Sequence, residues 1–210
     1  MIYFHCRMNS KKDQLCGIVL CGGRSSRMGI DKSLLIYHSK PQRYHIYEML
    51  STVCAKVAIS CNESQAAGML PGYEFITDLP GYTGCGPIAG ILSAFETTGN
   101  NDLLVIGCDY PFITMEAIHD FLAVIDDTKA AAFYNETTDH YEPILAYYPA
   151  ASYVTLANRY ANNQYSLQQF LFSVKATQYI PLDKNIITGV NSPQEYENAR
   201  TVIHKINSGT

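Results

Sequence analysis

A basic, glycine-rich segment follows the first apolar run of this sequence. In the stretch VLCGGRSSRMGIDKSLL, Arg24, Arg27 and Lys32 stand within nine residues, directly after the pair Gly22 and Gly23. Glycine has no side chain, so its backbone amide can approach an anion closely. The segment therefore predicts an anion site, most simply a phosphate site. The alternative is a tight connection whose basic side chains are merely solvated.

The spacing of this segment excludes two familiar phosphate motifs. The P-loop pattern G-x-x-x-x-G-K-[ST] is not met, because five residues separate Gly23 from Gly29 and Ile30 follows instead of lysine. The pattern G-x-G-x-x-G is also missing from the segment. A P-loop NTPase and a dinucleotide-binding dehydrogenase are therefore disfavoured.

Three further polar residues follow apolar runs. Asp109 comes directly after DLLVIGC, and a lone carboxylate there suits Mg²⁺, which binds one or two carboxylates together with substrate phosphates. From the residues alone, a turn-capping aspartate is about equally supported. Asn62 and Asp78 could hydrogen-bond a base or a ribose. For these two, an Asx-turn and an ordinary turn residue are the alternatives.

The elements that must position these residues alternate between strand and helix. Apolar runs predict strands at 15–21, 56–61, 73–78, 102–109, 130–135, 143–149 and 177–181, and periodicity predicts helices at 41–52, 87–98, 115–125, 150–173 and 193–206. Such alternation predicts one three-layer α/β domain, with a mostly parallel sheet covered by helices on both faces. Ligands of such sheets bind beyond the carboxyl ends of the strands. The glycine-rich segment, Asn62, Asp78 and Asp109 would all face one crevice there.

Composition limits the remaining possibilities. The formal net charge of −4 gives no broad basic field, so we expect no nucleic-acid partner. No apolar run approaches the ~20 residues of a membrane span, and seven cysteines without a C-x-x-C pair fit a reducing cytoplasm. We expect residues 1–14 to be a disordered extension, with Met1 and Met8 both open as the natural start, and residues 15–210 to form the domain.

A family resemblance rests on motifs that run through most of the chain. LCGGRSSRMGIDKSLL resembles the signature L-x-G-G-x-x-x-R-M-G-x-D-K-x-L-L of molybdenum cofactor guanylyltransferases, the MobA family of nucleotidyltransferases. AISCNES, ITDLPGYTGCGPIAGI, LLVIGCDYPFI, YEPILAYY and GVNSPQEY follow in the family's order. The resemblance implies a Rossmann-like nucleotidyltransferase fold.

The resemblance also implies roles for residues. Arg27 and Lys32 would neutralise a triphosphate and Asp109 would bind Mg²⁺, so these three are the catalytic candidates; Asn191 is a second candidate ligand of the metal. The nucleotide-binding candidates are Leu20, Cys21, Gly22, Gly23, Lys32, Asn62, Asp78 and Asp109. Gly189 stands where these enzymes often carry a further asparagine, which weakens the inference of a pterin contact there.

The reaction implied by the resemblance joins two substrates. The terminal phosphate of molybdopterin would attack the α-phosphate of Mg-bound GTP, releasing pyrophosphate and forming a guanine dinucleotide of the cofactor. Delivery proteins and acceptor molybdoenzymes are the implied partners. Transfer of CMP to the same pterin, transfer to another phosphorylated acceptor, and a non-catalytic carrier of nucleotide or cofactor are the alternatives. Sequence does not decide the base, because Cys21 replaces the alanine commoner in the guanylyl branch.

Overall fold

A seven-stranded sheet forms the centre of the molecule. The computed structural model describes residues 15–21 and 31–208, apart from the side chain of Asn207. The strands are β1 (Leu15–Leu20), β2 (Lys56–Ser60), β3 (Phe75–Ile76), β4 (Asp102–Gly107), β5 (Ala131–Asn135), β6 (His140–Tyr148) and β7 (Thr177–Tyr179). Their order in the sheet is β3-β2-β1-β4-β6-β5-β7.

Helices connect the strands and cover the sheet. They are α1 (Gln42–Val53), α2 (Glu63–Ala66), α3 (Pro87–Thr98), α4 (Met115–Val124), α5 (Ser152–Ala161), α6 (Leu167–Ser173) and α7 (Pro193–Ser208). Short 3-10 helices lie at Lys32–Leu34, Pro80–Tyr82 and Lys184–Ile187. Within the described ranges, no helix has the length and apolar character needed to cross a membrane.

The sheet has a parallel half and a mixed half. The strands β1, β2, β3 and β4 pair in parallel, whereas β6 pairs antiparallel with both β4 and β5, and β7 pairs in parallel with β5. The antiparallel pairings arise because β5 and β6 are a hairpin, in which the chain reverses over only a few residues. The predicted mostly parallel sheet is confirmed.

The two sides of β1 belong to two different hydrophobic cores. Leu15 and Val19 pack with α1 and α4 on one face of the sheet, while Ile18 and Leu20 pack with α3 and α6 on the other. This division follows from the strand geometry, in which successive side chains point to opposite faces. The predicted three-layer architecture is therefore confirmed.

Two predicted elements differ from the structure. The helical stretch 150–173 is broken into α5 and α6, because Asn163 adopts a left-handed conformation with φ of 58° and Ser166 caps a new helix. The strand predicted at 73–78 is reduced to the two residues of β3, which are in register with Ile59 and Ser60 of β2. The predicted extension 1–14 lies outside the described residues and stays a prediction.

A third, smaller apolar cluster joins the last helix to the segment that follows the glycine-rich stretch. Leu35 and Tyr37 pack with Val190 and with Ala199 and Ile203 of α7. The cluster brings residue 32 and residue 191 to the same end of the sheet, although they are far apart in sequence.

Candidate active site

The carboxyl ends of β1 and β4 meet in the middle of the sheet. Leu20 and Gly107 are register partners, so Cys21 and Cys108 lie side by side with their sulfurs 3.0 Å apart. The amide of Cys108 donates to the Leu20 carbonyl at 3.1 Å. Asp109, one residue further on, is therefore fixed at the end of the most central pair of strands.

The Asp109 carboxylate lies over a glycine. A Cβ atom on Gly107 would stand 2.6 Å from Asp109 Oδ1 and 2.6 Å from Ile144 Cδ1, so a side chain there would collide with the carboxylate. The Asp109 backbone is held as well, because its carbonyl accepts from the amide of Val190 at 2.8 Å. Burial raises the pKa of the Asp109 carboxyl, and the nearby Lys32 charge opposes this rise.

Lys32, which begins a 3-10 helix, contacts the candidate metal ligand Asn191. Asp31 caps the 3-10 helix that begins at Lys32, its Oδ1 accepting from the Ser33 amide at 2.9 Å. The Lys32 ammonium donates to Asn191 Oδ1 at 2.7 Å. Lys32 thus contacts the candidate metal ligand Asn191, whose neighbour Val190 is hydrogen-bonded to the backbone carbonyl of Asp109.

Asn191 is oriented by the start of α7. The Glu195 carboxylate accepts from the backbone amide of Asn191 at 2.6 Å and from that of Ser192 at 3.0 Å. In return, Ser192 Oγ accepts from the backbone amide of Glu195 at 3.3 Å. These reciprocal contacts are a capping box, for which the sequence S-P-Q-E has the required spacing. The hydrogen bonds from the two amides lower the pKa of Glu195, that from Asn191 most.

The residues proposed to contact the nucleoside lie along the neighbouring strand ends. Asn62 caps α2, its Oδ1 accepting from Ser64 Oγ at 2.8 Å and from the Gln65 amide at 2.9 Å. The local role of Asn62 is therefore that of a helix cap, and a role in nucleotide binding stays a prediction. Asp78 is exposed near Gly90, where an added Cβ would lie 3.8 Å from Asp78 Oδ1.

Part of the predicted site lies outside the described residues. This applies to Gly22 and Gly23, to the catalytic candidate Arg27, and to Arg24 of the same basic segment. Leu20 is buried in the sheet, so its expected contact with a nucleotide would have to use backbone atoms.

Comparison with known proteins assigns the family. The model of the MobA-like NTP transferase domain matches residues 17–177, which is most of the chain. This chain belongs to the MobA-like NTP transferase family. It is accordingly a nucleotidyltransferase, and the predicted family is confirmed.

Relatives of the chain fit this membership. It is 27% identical over 184 residues to a molybdenum cofactor guanylyltransferase of Pseudomonas entomophila, covering 86% of this chain and 95% of that protein. It is 28% identical over 183 residues to a molybdenum cofactor biosynthesis bifunctional protein of Synechocystis, covering 87% of this chain and 52% of the relative. The chain thus spans about half the length of that bifunctional protein.

Solved structures share the fold. Molybdopterin-guanine dinucleotide biosynthesis protein A from Archaeoglobus fulgidus superposes with a TM-score of 0.72 at 24% identity, covering 90% of this chain and 99% of that one. A CMP:2-keto-3-deoxy-manno-octonic acid synthetase reaches a TM-score of 0.62 at 14% identity, covering 91% and 98%. The Rossmann-like nucleotidyltransferase fold is therefore confirmed.

The sequence did not single out two further groups of this MobA-like site. Tyr110 donates to Glu142 Oε2 at 2.6 Å, and the pKa of Glu142 is raised by burial and by the Asp109 charge. Gln65 is 9% exposed and hydrogen-bonds the cap of its own helix at Asn62 and two other segments, at Cys21 and Asp31. For Gln65 a signal was present, because N-x-x-Q before a helix is a capping-box pattern. For Glu142 no local signal existed, since its partner is 32 residues away.

Proposed function

We propose that this transferase moves GMP from Mg-bound GTP to the terminal phosphate of molybdopterin, releasing pyrophosphate and producing a guanine dinucleotide cofactor. The observation that carries the proposal is the hydrogen bond from Lys32 to Asn191, beside Val190, whose amide donates to the Asp109 carbonyl just beyond the end of β4. The names of relatives that match most of this chain supply the substrates.

The proposed step is a substitution at phosphorus. An oxygen of the pterin phosphate forms a bond to the α-phosphorus of GTP, and the bond from that phosphorus to the oxygen bridging to the β-phosphate breaks, with the electron pair leaving on pyrophosphate. Negative charge grows on the leaving group, so a cation close to it lowers the barrier. Lys32 would supply that positive charge, and Arg27 is its proposed partner.

The donor set beside Lys32 fits Mg²⁺. Asp109 offers a carboxylate and Asn191 an amide oxygen, a small set suited to a hard cation that also binds phosphate oxygens. When bound, Mg²⁺ would neutralise triphosphate charge. Asn191 Oδ1 accepts from Lys32 in the free protein. We expect the ammonium to turn to the triphosphate when nucleotide binds, which frees this oxygen.

The nucleoside half of the site is proposed to lie toward β2 and α3. Asn62 Oδ1 is used by the helix cap, which leaves the amide nitrogen of Asn62 as the group to offer a nucleotide. Asp78 would accept two hydrogen bonds from the base or ribose, beside the close backbone approach at Gly90. Cys21 would contribute backbone groups at the end of β1. We place the reaction in the cytoplasm, with delivery proteins and acceptor molybdoenzymes as partners.

Pyrophosphate release tests the proposal directly. Purified protein is incubated with molybdopterin and Mg²⁺, and release is compared for GTP, CTP and UTP. We expect release with GTP and formation of the dinucleotide, and a large loss in Asp109→Asn. Release with CTP alone would make the chain a cytidylyltransferase. Tight nucleotide binding without release, in the presence of molybdopterin, would make it a carrier instead.

A further inference from the structure

Gln65 links three segments that converge on the proposed triphosphate site. Its Nε2 donates to Asp31 Oδ1 at 3.0 Å and to the Cys21 carbonyl at 3.3 Å, and its Oε1 accepts from the Asn62 amide at 3.1 Å. Two acceptors face one end of the amide and one donor faces the other, so this orientation of the side chain is the only one that satisfies all three.

The contact with Asp31 carries the consequence for chemistry. Asp31 uses the same oxygen to cap the 3-10 helix that begins at Lys32, so Gln65 fixes the base of that helix against the end of β1. We propose that Gln65 is a positioning residue for the triphosphate, which holds Asp31, and through it the Lys32 ammonium, at the carboxyl end of β1. The proposal rests on the proposed function, because it assumes that Lys32 binds the nucleotide phosphates.

Gln65→Glu removes the hydrogen bonds that Gln65 donates to Asp31 and Cys21 and keeps the one that it accepts from Asn62. A glutamate oxygen still accepts from the Asn62 amide, so the cap of α2 is retained. The second oxygen now faces the Asp31 carboxylate and the Cys21 carbonyl, where a donor is required. A misplaced cation lowers both binding and turnover of the triphosphate.

The primary experiment measures steady-state kinetics of pyrophosphate release. Gln65→Glu is expected to raise KM for GTP about tenfold or more, with KM for molybdopterin unchanged. The exposed Gln164→Glu, which adds the same charge between α5 and α6, should match the wild type. Equal GTP parameters in Gln65→Glu and Gln164→Glu would overturn the proposal.

A double-mutant cycle tests the route through Lys32. If Gln65 acts by placing this ammonium, Gln65→Glu should change KM for GTP by less than about twofold in the Lys32→Met background. An undiminished effect in the Lys32→Met background would contradict the proposed route.

An exchange of donor and acceptor separates positioning from folding. In the double variant Asp31→Asn with Gln65→Glu, the amide introduced at position 31 can turn so that its nitrogen donates to the carboxylate introduced at position 65 while its oxygen keeps the cap on the Ser33 amide, contacts that Asp31 makes with one oxygen. KM for GTP should then return toward the wild-type value. If Gln65→Glu lowers the melting temperature, the exchange carries the test. Recovery of the melting temperature without recovery of KM would refute positioning.

Failure of the proposed function would be recognised separately. Wild-type protein that transfers no GMP disproves the guanylyltransferase proposal without bearing on Gln65. In that case the readout is the affinity of Mg-GTP measured by calorimetry. Weaker binding by Gln65→Glu than by Gln164→Glu supports the positioning role, and equal binding overturns it.

Discussion

Gly107→Ala is expected to disable the enzyme by moving one carboxylate. The new Cβ would lie 2.6 Å from Asp109 Oδ1 and 2.6 Å from Ile144 Cδ1, and both atoms are the ends of side chains that can turn. Reaching ordinary contact requires a shift of roughly 1 Å. The backbone of Gly107 is an ordinary strand conformation, so the clash alone determines the effect.

Two magnitudes follow from this displacement. Overpacking costs about 1–3 kcal/mol of folding free energy, which the lower chain entropy of alanine in the unfolded state offsets by about 0.4–1 kcal/mol. A misplacement of about 1 Å at a reacting centre can lower the rate about 100-fold. We therefore expect a modest loss of stability and a roughly 100-fold fall in kcat/KM for GTP, with a higher Mg²⁺ requirement.

The assay is pyrophosphate release across a Mg²⁺ titration, with urea unfolding in parallel. Gly68→Ala is the matched control, because its Cβ would only touch the Gln65 carbonyl at 3.8 Å on the surface. Adding Ile144→Val to Gly107→Ala removes the clash with Cδ1 and should recover stability but little activity. A Gly107→Ala enzyme with wild-type rates and Mg²⁺ dependence would refute the reasoning.

Three further predictions concern other positions. Lys32→Met should weaken Mg-GTP binding about tenfold or more, measured by calorimetry, because one charge-assisted contact to phosphate is lost; unchanged affinity would contradict it. Gly90→Ala should lower nucleotide affinity, since its Cβ would lie 2.6 Å from Ser60 Oγ at the proposed nucleoside site, and a thermal shift with GTP measures this. Burial and the stacked His38 lower the pKa of His45 to about 4. Below pH 6.5 the unfolded state therefore binds a proton that folded His45 does not bind until about pH 4. About 1 kcal/mol of folding free energy should be lost between pH 7 and pH 5. Urea unfolding at the two pH values measures this loss, which should be smaller in His45→Gln.

The central strands and their helices could be read from sequence because local patterns record local burial. The run 15–21 is apolar throughout and the run 102–109 is apolar between its two terminal aspartates, as expected for strands covered on both faces, and both are central in the sheet. The break between α5 and α6 was missed, because Asn163 and Ser166 are weak signals inside an otherwise helical pattern.

The sequence by itself indicated the chemistry proposed for this protein, because glycines, cations and a lone carboxylate after apolar runs predict an anion and metal site. Only the tertiary structure decided which side chains contact one another. The contact between Lys32 and Asn191 joins residues 159 positions apart, and Gln65 reaches Asp31 across 34. Neither contact leaves a local pattern, since both depend on strand order and the first also on the packing of α7, which only the folded chain fixes.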